Sequence, residues 1–369
     1  MTQPQPSASL LDALRADGWV LLEDGPLLRE PPAPLPPELS FSRVEGMLIG
    51  LAVGDALGNT TEGMLPAERR TVHGEIRDYL PNRHAGWRSV GLPSDDSQLA
   101  LWTLEQLVED GRLDPARLAE IFASREIFGI GSAMREFTFN VRAGKPWFAC
   151  GARSAGNGAL MRIAPLLVPH LHAPSVELWA DAALAASLTH RDQASTATCI
   201  AFARLLLETM RLSAPPRPDW WLETFLEAAR PLEGTKMRYR PRGGAYVDYE
   251  GPLWQYVEAV MSEELRRGSS VVEAGGRFYS GAFLLETVPS ALFVLARHAD
   301  DPEEALIRAV NDTKDNDTVA AIVGAAVGAL FGVSELPERW RTGLLGRTRM
   351  DDDGQAFMLV ERARATFWR

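Results

Sequence analysis

Apolar residues recur at helical spacing through most of the chain. Leu99, Trp102, Leu104, Leu107 and Val108 form one such face after Ser94, and comparable stripes run through 176–189, 195–212, 283–298 and 303–311. Alternating β-branched runs, the mark of half-buried strands, are scarce. The pattern predicts an all-α fold.

Two segments carry glycine at every fourth position: Gly46, Gly50, Gly54 and Gly58 in the first, Gly324, Gly328 and Gly332 in the second. A glycine inside a helix costs about 1 kcal/mol relative to alanine. Stacked on one face, these glycines predict helices whose backbones approach closely enough to offset that cost. Such packing would put the helix ends deep inside the domain, where Asp55 and Asp317 lie.

The first forty residues read as an appendage. Leu10–Leu22 can form a short helix followed by an extended segment, and Pro31-Pro32-Ala33-Pro34-Leu35-Pro36-Pro37 reads as a stiff linker. The expected division is an appendage over 1–40 and a catalytic domain over 41–369. Pro-, Gly- and Arg-rich stretches at 213–219 and 231–252 read as long loops within that domain.

Composition narrows the function classes. With 369 residues, 46% hydrophobic and 24% charged, the chain is an ordinary globular protein able to bury a large core. A net charge of −11 argues against a general nucleic-acid or anionic-membrane surface, while leaving room for a local basic pocket. Cys150 and Cys199 are the only cysteines, which supports neither a disulfide framework nor a cysteine-based zinc site. The His170-Leu171-His172 pair reads as an ordinary surface turn. No signal-peptide pattern opens the chain, and the apolar run Val319 to Val333 falls short of the roughly 20 residues that span a bilayer. A cytoplasmic location and no membrane association are the expectation.

Two acidic clusters stand at helix starts. Pro93-Ser94-Asp95-Asp96-Ser97 precedes the 99–108 stripe, and Asp315-Asn316-Asp317-Thr318 precedes Val319-Ala320-Ala321-Ile322-Val323-Gly324. Taken singly, each is an ordinary helix N-terminus, in which Ser94 or Asp95 caps and the acidic charge suits the macrodipole. Taken together, each presents two carboxylates plus hydroxyls at the head of a helix apolar enough to be buried. Four carboxylates converging in a desolvated centre would repel one another unless neutralised. Hard oxygen donors suit Mg²⁺, Mn²⁺ or Ca²⁺ rather than zinc. Two such ions can orient substrate hydroxyls, polarise a leaving group and activate water.

At these residues the chain resembles the ADP-ribosylglycohydrolase family over roughly 42–334. The motifs arrive in family order: Gly46 through Gly58 with Asp55, then Glu62, then Ser94-Asp95-Asp96-Ser97. Gly156-Asn157-Gly158-Ala159-Leu160-Met161-Arg162 and Thr189-His190 follow, and Asp315-Asn316-Asp317-Thr318 closes the set. The resemblance implies a compact, orthogonal multi-helix domain with a central binuclear site for two Mg²⁺ ions, with Mn²⁺ as a substitute. Carried over by position, the metal ligands are Ser94, Asp95, Asp96, Asp315, Asp317 and Thr318, with Asp317 bridging. Glu62, Asp96 and Asp317 are the expected catalytic residues, Glu62 gating the site or assisting proton transfer. Gly156, Asn157, Gly158 and His190 match positions that contact ADP-ribose, and Asp55 reads as a core anchor supporting the site rather than as a ligand.

The chain departs from the family pattern in four places. Serines replace threonines in the first cluster, and Lys314 stands where a glycine pair commonly precedes the aspartates. The N-terminal appendage and the Arg/Tyr-rich segment 237–249 lie outside the motif set. The resemblance implies hydrolysis of a glycosidic bond to ADP-ribose, with an arginine-linked target as the first expectation. The target is an ADP-ribosylated protein or a small ADP-ribose conjugate; serine- and acyl-linked forms remain open, and modified nucleic acid is the less favoured class. The alternative is an ADP-ribose-binding or toxin-neutralising immunity-type protein, acting on a protein partner through residues 1–40.

Overall fold

The computed structural model describes residues 5–350, 352 and 354–368. Among these, sixteen α-helices, seven short 3₁₀ helices and a single hairpin of two-residue strands, Pro81–Asn82 against Arg88–Ser89, account for the regular structure. In chain order the helices are α1 Ser7–Ala16, α2 Phe41–Gly58, α3 Pro66–His73, α4 Asp95–Asp110, α5 Pro115–Ser124 and α6 Ser132–Arg142. There follow α7 Glu177–Thr189, α8 Gln193–Thr209, α9 Pro218–Glu233, α10 Leu253–Arg267 and α11 Val271–Phe278. The last five are α12 Leu284–His298, α13 Pro302–Asp312, α14 Asn316–Phe331, α15 Glu338–Gly343 and α16 Gln355–Phe367. Each stripe of apolar residues in the sequence became a helix, so the all-α expectation holds.

The glycine-rich helices α2 and α14 pair at the centre, with α4, α8, α12 and α13 packed around them. A Cβ on Gly50 would lie 2.2 Å from the carbonyl oxygen of Gly324, and one on Gly324 would lie 2.1 Å from that of Gly50. Gly46 and Gly328 interlock in the same reciprocal way, and Gly54 faces Ala320. Gly58 completes the seam by admitting the backbone of Asp317, whose Cα would be 2.4 Å from a Cβ there. The glycine spacing therefore sets the distance between α2 and the start of α14.

Residues 5–40 lie against the body. Leu11, Leu14, Val20 and Leu28 are buried, and α1 packs on α7. The segment is also tied by polar bonds: Glu23 N–H donates to the Leu232 carbonyl at 2.9 Å, and Trp179 Nε1 donates to that of Glu30 at 2.9 Å. Trp19 stacks edge-on against Phe148, with the Arg191 guanidinium over its other contact surface at 4.8 Å.

Three local expectations are corrected. The helix expected within 10–22 begins earlier and ends at Ala16, where Asp17 and Gly18 break it. The loop expected from 231 starts after α9, whose last turn contains Pro231. His170 is not on a surface turn: it is buried, with Nε2 2.8 Å from Asp181 Oδ2, while His172 packs on Trp368. No helix among the described residues is long and apolar enough to cross a membrane.

Candidate metal and active site

The first acidic cluster is held by a carboxylate from another helix. Ser94 occupies the cap position of α4, yet its side chain does not cap. Asp55, in the last turn of α2, does so across space. It accepts the backbone N–H groups of Ser94 at 2.9 Å and Ser97 at 3.0 Å, and the hydroxyls of the same serines at 2.6 and 2.5 Å. Burial raises the Asp55 pKa, and these four donors work against the rise. With both oxygens so occupied, Asp55 locks the start of α4 to the end of α2.

That lock aims Asp96 inward. Asp96 is buried, and its Oδ1 has no hydrogen-bond partner. Burial, followed by the charges of Asp317, Asp55 and Asp95, pushes its pKa well above the carboxylate range. Asp95 is half-buried beside it, with Oδ1 against Gly129. Its pKa is raised by burial first, then by Asp55 and Glu62.

The second cluster is positioned by its backbone. The buried Arg69 guanidinium donates to the carbonyls of Val310, Thr313 and Met64 at 2.8, 2.9 and 2.9 Å, fixing the turn that precedes α14. Burial lowers the Arg69 pKa to about 10, opposed by Asp317 and Asp312. Asn316 donates to the Gly58 carbonyl and to Thr61 Oγ1, each at 3.0 Å, stitching α14 to the end of α2. Tyr279 and Ser280 adopt left-handed φ of 73° and 37°, unusual for non-glycine residues. The strained turn lets Ser280 accept the N–H groups of Lys314 and Asp315, at 3.0 and 2.9 Å.

So held, the clusters meet. Oxygens of Asp55, Asp96 and Asp317 lie within 4.8 Å of one another, as do those of Glu62, Asp315 and Asp317. Asp317 belongs to both groups. Its pKa is driven well up by burial and by Asp315, Glu62 and Asp55; that of Asp315 rises to about 6, by burial against the Asn157 hydrogen bond. Glu62 stands exposed at the rim, its pKa raised by burial of the carboxyl and by Asp55. An all-oxygen set with an orphaned buried carboxylate oxygen fits a hard divalent cation, which would relieve the repulsion that adds to burial in raising the pKa values of Glu62, Asp95, Asp96, Asp315 and Asp317. Ser94 and Thr318 lie at the two helix starts, Thr318 buried.

The Gly-Asn-Gly segment lies alongside. Asn157 donates to Asp315 Oδ2 at 2.6 Å and to Thr287 Oγ1 at 3.0 Å, so its amide supports the acidic centre. His190 faces the two glycines: a Cβ on Gly158 would lie 3.1 Å from the imidazole, and one on Gly156 3.4 Å from Nε2. The wholly buried Arg162 ties these parts together, donating to the Gly158 carbonyl at 3.2 Å and to Thr189 Oγ1 at 2.7 Å. Thr189 Oγ1 in turn bonds His190 Nδ1 at 2.9 Å. Burial, reinforced by Arg162, drops the His190 pKa to about 3 and keeps the ring neutral. A cleft of about 270 Å³ opens from Glu62 and Asp315 between Arg242, Tyr279, Gly281, Ala282 and Lys314.

Sequence reasoning singled out Asp55, Glu62 and both clusters; the structure brings Asp55, Glu62, Asp96, Asp315 and Asp317 together, while Ser94, Asp95 and Thr318 fall in neither oxygen group. It did not single out Arg69, Arg162, Thr287 or Ser280. Arg162 stood inside a quoted motif, and a buried arginine is a signal only once burial is known. Arg69 and Ser280 act through the backbone and leave no mark in the sequence.

These features define an all-α protein with a buried, oxygen-rich site able to hold a metal ion. The chain belongs to the ADP-ribosylglycohydrolase family, whose model matches residues 36–366. It is 28% identical over 318 residues to the ADP-ribosylarginine hydrolase Tri1 of Pseudomonas putida, covering 83% of this chain and 75% of that one. It is 27% identical over 309 residues to the ADP-ribosyl-[dinitrogen reductase] glycohydrolase of Rhodospirillum rubrum, covering 82% and 90%. A solved structure described as an ADP-ribosylglycohydrolase-related protein complex superposes with a TM-score of 0.60 at 26% identity, over 89% of this chain and 97% of that one. The enzyme is a glycohydrolase of a metal-dependent family.

Proposed function

We propose that the chain is a Mg²⁺-dependent ADP-ribosylhydrolase that releases ADP-ribose from a modified protein, with arginine linkage as the first substrate to test. The observation that carries this reading is the meeting of two helix starts, far apart in sequence, at oxygens that share Asp317. Arginine linkage draws support from the relative named for it; fold alone does not fix linkage.

The residues that would hold two ions are Ser94, Asp95, Asp96, Asp315, Asp317 and Thr318, with Asp317 between them. When bound, the ions supply a fixed positive field that orients ribose hydroxyls and stabilises charge developing during bond cleavage. The remaining work falls to the protein. Gly156, Asn157, Gly158 and His190 form the wall for ADP-ribose, with Asn157 also steadying Asp315. Hydrolysis requires water to add at the anomeric carbon as the bond to the leaving group breaks; the water's proton must reach a carboxylate, and the leaving group must gain one. Glu62, exposed at the rim with a raised pKa, is suited to that proton traffic.

The test is a panel of arginine-, serine-, acyl- and nucleotide-linked ADP-ribose, each assayed with Mg²⁺, with Mn²⁺ and with chelator. Turnover is expected on at least one conjugate, abolished by chelator and by Asp317→Ala, which also lowers Mg²⁺ affinity by calorimetry. Full metal-dependent turnover in Asp317→Ala would refute the assignment.

A further inference from the structure

The cleft beside Glu62 and Asp315 carries a charge pattern that the acidic centre does not require. Two cations, Arg242 and Lys314, stand in its wall together with Tyr279. Lys314 has no carboxylate within ion-pair distance among the described residues; its ammonium lies 3.9 Å from the centroid of the Tyr279 ring. Arg242 is held from behind. Glu286, fully buried, accepts Nε at 3.0 Å and Nη2 at 2.7 Å, and takes the Arg242 backbone N–H at 3.1 Å. That pairing leaves Nη1 without a protein partner among the described residues, on a side chain that is 52% exposed.

The platform under these cations is rigid and registered to the acidic centre. The left-handed Tyr279–Ser280 turn grips the backbones of Lys314 and Asp315, so one local conformation sets both the ammonium and the carboxylate. Gly281 has no room for a side chain, since a Cβ there would lie 2.5 Å from Glu286 Oε2, and its carbonyl accepts Thr287 Oγ1 at 2.8 Å. Thr287 also receives Asn157, which reaches Asp315.

We propose that Lys314 and Arg242 form a phosphate-binding subsite that takes the diphosphate of the ADP-ribosyl group at the mouth of the acidic centre. The inference rests on the hydrolase reading for the identity of its ligand. A diphosphate beside Glu62 and Asp315 meets repulsion from carboxylates, and the two cations lining the same cleft offset it. The guanidinium offers a planar donor edge and the ammonium a compact charge, two complementary ways to hold phosphate oxygens. The subsite recognises the half of the substrate common to every conjugate, so it sets affinity for ADP-ribosyl groups whatever their attachment.

The experiment measures ADP binding by calorimetry to the full chain in excess Mg²⁺, for the wild type, Lys314→Met and Lys314→Arg. Lys314→Met is expected to weaken ADP binding about tenfold, the equivalent of one charge-assisted hydrogen bond, and Lys314→Arg to retain most of the affinity. Wild-type affinity should fall with added NaCl, less steeply in Lys314→Met, and KM for a cleaved conjugate should rise more than kcat falls. Equal ADP affinity in the wild type and Lys314→Met overturns the subsite while leaving the hydrolase reading untouched. A chain inactive on every conjugate that still binds ADP through Lys314 sinks the hydrolase reading and supports the subsite. Should Lys314→Met fail to fold, the wild-type salt series decides, and ADP affinity indifferent to NaCl overturns the proposal.

Discussion

Asp55 and His190 are both buried titratable groups, and burial acts on them in opposite senses. Asp55 keeps a use for its charge, because four N–H and O–H donors converge on it and so clamp α4 to α2. His190 has no such partner for a positive charge, and its pKa falls to about 3. The linkage sign follows. A folded-state pKa below the unfolded value of about 6.5 means that the unfolded chain binds the proton first as pH falls. Stability from the neutral ring is therefore full above about pH 6.5 and is lost progressively toward pH 3. Denaturant unfolding between pH 7 and pH 5 should show the wild type losing about 2 kcal/mol more than His190→Asn. Acidic-centre carboxylates contribute to both proteins alike and cancel in the comparison. Identical pH slopes would mean that the imidazole is hydrated or charged in the fold.

At the scale of elements, the centre depends on how closely α2 and α14 approach. Ordinary helices pack with axes about 8–10 Å apart, set by the side chains between them. Here glycines remove the side chains, and backbone meets backbone along three turns. Gly324→Ala should gain about 1 kcal/mol of helix propensity and still lose stability by about 1–3 kcal/mol, because the added methyl meets the Gly50 carbonyl. Mg²⁺ affinity should fall with it, since the seam sets the spacing of Asp96 and Asp317. Gly276→Ala in α11, where a Cβ meets nothing within 4 Å, is the control and should be neutral or slightly stabilising. Thermal melts of the pair, with calorimetry for Mg²⁺, separate close packing from a general intolerance of alanine.

For the whole molecule, the N-terminal segment is part of the packed body. Its buried Leu11, Leu14, Val20 and Leu28 side chains each contribute about 1.5–3 kcal/mol by leaving water. Trp19 reaches Phe148 and Arg191, the latter next in sequence to His190. This arrangement lends little support to an arm that reaches freely into a partner. A chain truncated to 41–369 should melt at a lower temperature and expose apolar surface to a hydrophobic dye. An unchanged melting temperature would mean that the contacts of 5–40 add nothing to the fold, and would reopen a partner-binding role. The acidic net charge is spread over a surface carrying many ion pairs, so the cationic wall of the cleft is a local exception rather than a field of the whole protein.

The sequence by itself determined the helices, because apolar spacing and helix-start residues are local properties that burial only completes. It also marked Asp55, Glu62 and the two aspartate clusters, through motifs whose order survives in the linear chain. Only the tertiary structure decided that Asp55 caps α4 in place of Ser94 and that Asn157 leans on Asp315. Arg69, Arg162 and the strained Tyr279–Ser280 turn became meaningful only there as well. Those facts depend on distances between residues tens to hundreds of positions apart and on which backbone groups are left without water. Such quantities are properties of the packed chain, and no periodicity encodes them.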